Sequence, residues 1–120
     1  MVDQPAGSDE VPPLRQGDII VYGPVVDPQG RNAKTRPVVV VSVDSETAVG
    51  VAITTVPPGK DDAGHVAMQW SADGRCRTGL NREAWAYAPW RIEIPVGAAF
   101  TKIGFCDARR IEAILAWSAD

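Results

Sequence analysis

Between Gly17 and Cys106 the apolar residues recur in short runs separated by turn-forming residues. "GDIIVY" predicts a first strand, and the Gly, Pro, Asp and Asn of "GPVVDPQGRNAK" predict a long loop after it. "RPVVVVSV" and "VGVAITTV" are β-branched runs flanking "DSETA", the pattern of a hairpin. In "HVAMQW", Val66, Met68 and Trp70 fall on one face of a short strand and His65, Ala67 and Gln69 on the other. His65 is therefore expected to face solvent rather than to act in catalysis. A turn-rich "SADGRCRTGLNRE" leads into "AWAYAPWRIEIPV", where Trp90, Ile92 and Ile94 alternate with Arg91 and Glu93. Pro89 predicts an edge position or a bulge there. "TKIGFC" reads as a last strand. The period then changes: Asp107 is placed to cap a helix, and Ala108, Ile111, Ile114 and Leu115 form one stripe along "ARRIEAILAW". Short strands, turns between them, one terminal amphipathic helix and no internal repeat predict a mostly β fold, a small and strongly bent β-barrel.

The chain of 120 residues is the size of one domain, able to bury roughly two thirds of its unfolded surface. Residues 1–13, "MVDQPAGSDEVPP", have the composition of a disordered arm, so the barrel is expected to occupy residues 14–120 as a single domain. No apolar stretch approaches the ~20 residues that cross a bilayer. Acid and proline stand where a signal peptide carries positive charge and an apolar core, so a cytoplasmic location is expected. Cys76 and Cys106 lack the CxxC spacing of a zinc site, even with the single His65, and read as reduced, packed thiols; no metal or cofactor is expected.

The formal charge of −3 argues against a nucleic-acid partner until it is placed along the chain. Three of the 15 acids, Asp3, Asp9 and Glu10, precede Leu14 and no base does, which leaves 12 acids against 12 bases in the body. Within that body Arg31, Lys34 and Arg36 occur without an intervening acid, as do Arg75, Arg77 and Arg82. Each patch is a candidate binding surface or a solvated loop. Arg36 is the most constrained of these charges, because a residue before proline is held in extended geometry. If Val43 pairs with Val49 across the hairpin, partners sum to 92 and Thr54 lies opposite Val38, diagonal to Arg36. A slip of one residue would bring Thr55 instead. An Arg beside a Thr hydroxyl, with Lys34 and Arg31 at the rim, has the chemistry of a phosphate site: a planar fork of donors and a small hydroxyl. The alternative is an Arg ion-paired at the barrel rim, to Glu93 or Asp18.

These residues carry a resemblance. "QGDIIVY", a loop, "KTRPVVVVS", then "VAITT", "TGLNRE", "TKIG" and a closing amphipathic helix are together similar to the MazF/PemK family of toxins from type II toxin–antitoxin pairs, over nearly all of residues 14 to 117. The resemblance implies an SH3-like bent barrel of the MazF/PemK/CcdB kind that forms a homodimer. It also implies metal-independent cleavage of single-stranded RNA and neutralisation by a cognate antitoxin protein. The family's catalytic Arg and Thr map onto Arg36 and Thr54, with Thr55 the alternative. The implied reaction is attack of the ribose 2′-hydroxyl on the adjacent phosphorus, giving a 2′,3′-cyclic phosphate and a free 5′-hydroxyl. Arg31, Lys34, Arg75, Arg77, Arg82 and Arg91 are the candidate RNA contacts, and Trp85, Tyr87 and Trp90 either stack bases or fill the core. "AWAYAPWRIEIPV" departs from the family's more polar strand, where only Arg91 keeps the expected character. The rival functions are a noncatalytic, CcdB-like toxin that inhibits gyrase by protein contact, and an inactive family member.

Overall fold

A computed structural model describes residues 14–59, 64–95 and 97–118. The expected N-terminal arm lies outside the described residues. The strands are β1 (Asp18–Val25), β2 (Lys34–Val43), β3 (Thr47–Thr54), β4 (His65–Ala67), β5 (Trp85–Pro95) and β6 (Thr101–Phe105), followed by helix α1 (Ala108–Ser118). They form one antiparallel sheet in the order β4-β5-β3-β2-β1-β6, curled into a half-barrel. No helix among the described residues is long and apolar enough to cross a membrane.

The valine run explains why β2 sits at the centre. Val38, Val39, Val40 and Val41 are all at most 1% exposed, although alternate residues of a strand point to opposite faces. Both faces are therefore covered, which favours a continuous apolar run over alternation. Val39 and Val41 join a cluster with Ile19, Val51, Ile53, Met68, Leu80 and the helix residues Ile111 and Ile114. Val38 and Val40 join a second, smaller cluster with Ile20, Ala48 and Ile94, onto which Leu14, Tyr22, Ile92 and Phe100 pack. A Cβ at Gly50 would stand 2.2 Å from Val38 Cγ1, so the absence of a side chain there is what lets Val38 pack.

The hairpin register differs from the sequence expectation by two residues. Val38 pairs with Ala52 and Val39 with Val51, a sum of 90, and the ladder shifts between Val40 and Ser42. A tighter turn supplies one residue of the difference and the irregularity at Val41 the other: Asp44 N–H donates to Thr47 O at 2.9 Å, and Asp44 Oδ1 accepts the Glu46 and Thr47 amides at 2.8 and 3.0 Å. Strand β3 consequently begins at Thr47, inside the expected turn. Because two is the side-chain period of a strand, this slip keeps Thr54 on the face of Arg36, beyond the last ladder pair Val38↔Ala52.

Two other elements differ from expectation. Strand β4 is only three residues long, and Trp70 is 43% exposed rather than sharing the buried face of Met68. After Met68 N–H meets Ala84 O at 3.0 Å, the chain turns away into the 71–83 loop. At the helix, Asp107 caps as expected, its carboxylate accepting Arg110 N–H at 3.1 Å, but Ala108 is exposed and the buried stripe runs through Ile111 and Ile114.

The 71–82 loop ties the two edges of the sheet together. At the β4 end, Thr78 Oγ1 donates to Gln69 O at 2.7 Å and accepts Leu80 N–H at 3.2 Å, with Thr78 1% exposed. At the β6 end, Phe105 N–H donates to Arg77 O at 2.9 Å. The approach is so close that a Cβ on Gly79 would lie 2.1 Å from Ile103 O, and one on Gly104 2.1 Å from Thr78 O. Gly79 also has a φ of +76°, a conformation that other residues rarely adopt.

Candidate functional site

The face of the sheet opposite α1 continues past the smaller apolar cluster into an open cleft of about 620 Å³. Arg36 and Lys34 of β2, Thr54 of β3, His65 of β4, Tyr87 and Trp90 of β5, and Asp27 and Asn32 of the loop between β1 and β2 meet there. Strand alternation puts them together: Arg36 extends the side of β2 that carries Val38 and Val40, and Tyr22 pairs with it across β1.

Arg36 is held from three directions. Its Nε donates to Val25 O at 3.0 Å, its Nη2 donates to Asn32 O at 2.8 Å, and its guanidinium carbon lies 4.9 Å from the centre of the Trp90 ring. The ring's negative face favours the cation, which adds about 0.5–1 kcal/mol at an exposed site and fixes the plane of the fork. Two of five N–H groups go to carbonyls, so the rest can reach an anion. Trp90 is itself fixed, since its indole N–H donates to Val26 O at 3.1 Å. The alternative rim ion pair does not form with Asp18, which is 2% exposed and meets Lys102 Nζ at 3.0 Å.

The loop that supplies those carbonyls is organised by Asp27. Its carboxylate accepts the Gln29 and Arg31 amides at 3.0 and 2.8 Å and the Asn32 side-chain amide at 2.9 Å. The Arg31 amide chiefly, helped by Asn32, Gln29 and the charge of Arg36, holds this carboxyl below the usual aspartate range. Asn32 takes a positive φ of 56°, which Asn tolerates better than most residues, and so presents its carbonyl to Arg36.

Thr54 lines the cleft, and Thr55, exposed beyond the strand end, does not. Thr54 Oγ1 accepts Val56 N–H at 3.1 Å, which leaves the hydroxyl proton available to a ligand. Lys34 lines the same cleft, while Arg31 is exposed on the loop outside its lining. Arg91 faces a second depression, of about 460 Å³, which shares Asp27, Pro28 and Trp90 with the first. Trp90, with Asp27 and Pro28, thus borders both. Arg75, Arg77 and Arg82 line neither and stay exposed on the 71–82 loop.

The aromatic residues of β5 resolve by face. Ala86 and Ala88 are buried beneath α1, while Trp85, Tyr87 and Trp90 are half-buried. The bulge expected at Pro89 is present: pairing with β3 jumps from Val51↔Arg91 to Ile53↔Ala86, and β5 bends strongly between them. That bend brings Tyr87 and Trp90 to the same cleft.

His65 corrects the sequence expectation. It is half-buried, lines the cleft, and stacks on Tyr87 with ring centres 4.6 Å apart and planes tilted by 33°. Alternation holds within β4, but the face opposite Met68 is the cleft wall rather than open solvent. The thiols also divide. Cys106 is buried, and burial pushes its thiol up to about 11. Cys76 is half-buried, with its sulfur 3.2 Å from the Thr78 hydroxyl.

Comparison with protein-family models returned no match, and comparison with curated proteins returned none.

Proposed function

We propose that the protein is a metal-independent endoribonuclease of the MazF/PemK kind, with an SH3-like barrel, acting as the toxin of a toxin–antitoxin pair on single-stranded RNA. The observation that carries this reading is the anchoring of Arg36. Two loop carbonyls and an indole face hold the guanidinium at the floor of an open cleft, beside a Thr hydroxyl with a proton to give.

Such a pair of donors suits a phosphodiester whose charge rises during reaction. The 2′-oxygen bonds to phosphorus as its proton passes to solvent water, a pentavalent phosphorane forms, and the bond to the 5′-oxygen breaks as that oxygen takes a proton from water, leaving the cyclic phosphate and a free 5′-hydroxyl. Arg36 keeps its proton throughout, so its part is electrostatic, and Thr54 donates a hydrogen bond to the same oxygens. Lys34 draws the backbone to the cleft, and Trp90 offers a surface on which a base can lie. The balanced charge of the body leaves RNA affinity to these local groups.

The test is incubation of the purified protein with single-stranded RNA in EDTA, followed by mapping of the ends. Cleavage leaving a cyclic phosphate and a 5′-hydroxyl, abolished in Arg36→Ala, is the expected outcome. Equal cleavage by that variant would sink the assignment. Growth arrest with DNA damage that persists in Arg36→Ala would point to a gyrase-binding toxin, and harmless overexpression to an inactive member.

A further inference from the structure

Among the polar groups of the cleft that the reading above does not use, His65 stands out. His65 Nδ1 is buried and has no hydrogen-bond partner among the described residues, although the ring around it is held in place by Tyr87. Most ordered imidazoles are oriented by a partner on one nitrogen; this one is oriented by stacking. With Nδ1 enclosed, Nε2 is the nitrogen left to face the cleft that His65 lines. The neutral ring carries its proton on one nitrogen only. Buried donors without an acceptor are rare in folded proteins, so a proton on Nδ1 is disfavoured and Nε2–H is the form the surroundings select.

We propose that His65 is a substrate-contacting residue, donating Nε2–H to a non-bridging oxygen of the scissile phosphate alongside Arg36 and Thr54. The inference rests on the reading of the cleft as a phosphodiester site and adds its third donor. The three come from different strands, β2, β3 and β4, and converge because the sheet is curled. Three donors from three directions match a phosphorane better than two, since its non-bridging oxygens point apart. The other groups around the cleft are Tyr87 on β5, Thr54 on β3, Arg36 and Lys34 on β2, and Asp27 on the loop. Asp27 is engaged by three N–H donors of its own loop. His65 acts here as a fixed donor and moves no proton.

The experiment compares His65→Ala, His65→Gln and His65→Asn with the wild type and Arg36→Ala. It measures kcat/KM for RNA cleavage and, by fluorescence anisotropy, binding of a 2′-O-methyl oligoribonucleotide that cannot be cut. A Gln amide reaches about as far as Nε2, whereas an Asn amide stops near Nδ1. His65→Ala and His65→Asn should lose on the order of 10² in kcat/KM, the loss typical of one donor to a developing oxyanion. His65→Gln should keep most of the activity, with a pH profile shaped like the wild type's. Full activity in His65→Ala would overturn the inference, as would a folded His65→Gln as impaired as His65→Asn, which would mean proton transfer. Should His65→Ala fail to fold, the Gln and Asn pair still decides. A wild type that neither cuts RNA nor binds the oligonucleotide would remove both readings; cleavage that depends on Arg36 but not on His65 would remove only this one.

Discussion

The two basic patches look alike as sequence and end as opposites. Arg31, Lys34 and Arg36 flank the start of β2, and Arg75, Arg77 and Arg82 punctuate a turn-rich loop. Each set has three cations without an acid between them. In the first, one guanidinium is bound to two carbonyls and an indole ring at the floor of a cleft. In the second, the backbone holds the fold together, with the Arg77 carbonyl closing the sheet onto β6, while the charged side chains stay exposed. A cation becomes a site when the fold restrains it; density of charge alone marks a surface.

The largest expected effect tests that distinction at its centre. Arg36→Ala should lower the cleavage rate by on the order of 10²–10³, with an unchanged circular dichroism spectrum, whereas replacing Arg75, Arg77 and Arg82 together should leave kcat unaltered. A fall in kcat in the triple variant would break the comparison. Next in size is Thr54→Val, with a drop again on the order of 10²–10³, against Thr55→Val, which should cut at the wild-type rate. The reverse ranking would return the site to the one-residue slip in register.

Asp27→Ala sharpens the claim that anchoring matters, because the carboxylate acts on Arg36 through its charge and through the loop carbonyl it positions rather than as one of the hydrogen-bonded anchors. Misplacement of the fork should lower kcat by up to ~10²-fold, less than removal of Arg36 itself. The same carboxylate gives a pH signature. Its folded pKa lies below the ordinary 3.8, so its contribution to stability is complete above that value and is lost as pH falls through the lower folded one. Urea midpoints of wild type and Asp27→Asn should therefore converge as pH is taken below 3.8, and a constant gap would count against the loop network. The smallest effect is expected on RNA affinity. In the second-patch triple variant KM should rise at low salt, and its salt dependence should flatten by up to about 0.7 for each phosphate that is no longer neutralised. A separate measurement probes the loop's structural role: Thr78→Val should cost about 1–3 kcal/mol in chemical denaturation, because it leaves Gln69 O and Leu80 N–H without their partner.

The features legible in the sequence are local ones. Pro37 aims the residue before it, four valines demand a central strand, Pro89 bends its strand, and Asp107 caps a helix; each follows from one residue's stereochemistry. The rest is set by pairing across distance. The hairpin register depends on Asp44 forming a three-way hydrogen-bonded turn and on a bulge near Val41. The parity of the slip keeps Arg36 and Thr54 on one face, where both line the same cleft. His65 escapes a linear reading for a related reason: alternation tells which residues share a face, but only the curl of β5 past Pro89 decides that the face beside Tyr87 encloses a cleft. Asp27 gives no signal beyond an ordinary turn residue, since its part is to hold a carbonyl for a side chain nine positions further on.

Trp90 carries one more consequence. Its indole borders two depressions, tied at its nitrogen and faced by the guanidinium of Arg36. An anion that settles on that guanidinium changes the electric field across the indole without touching it. The molecule therefore contains its own optical gauge of cleft occupancy. Against a background in which Trp70, Trp85 and Trp117 are each replaced by Phe, the emission of Trp90 would follow the arrival of a phosphodiester in real time, and separate the moment of binding from the moment of cutting.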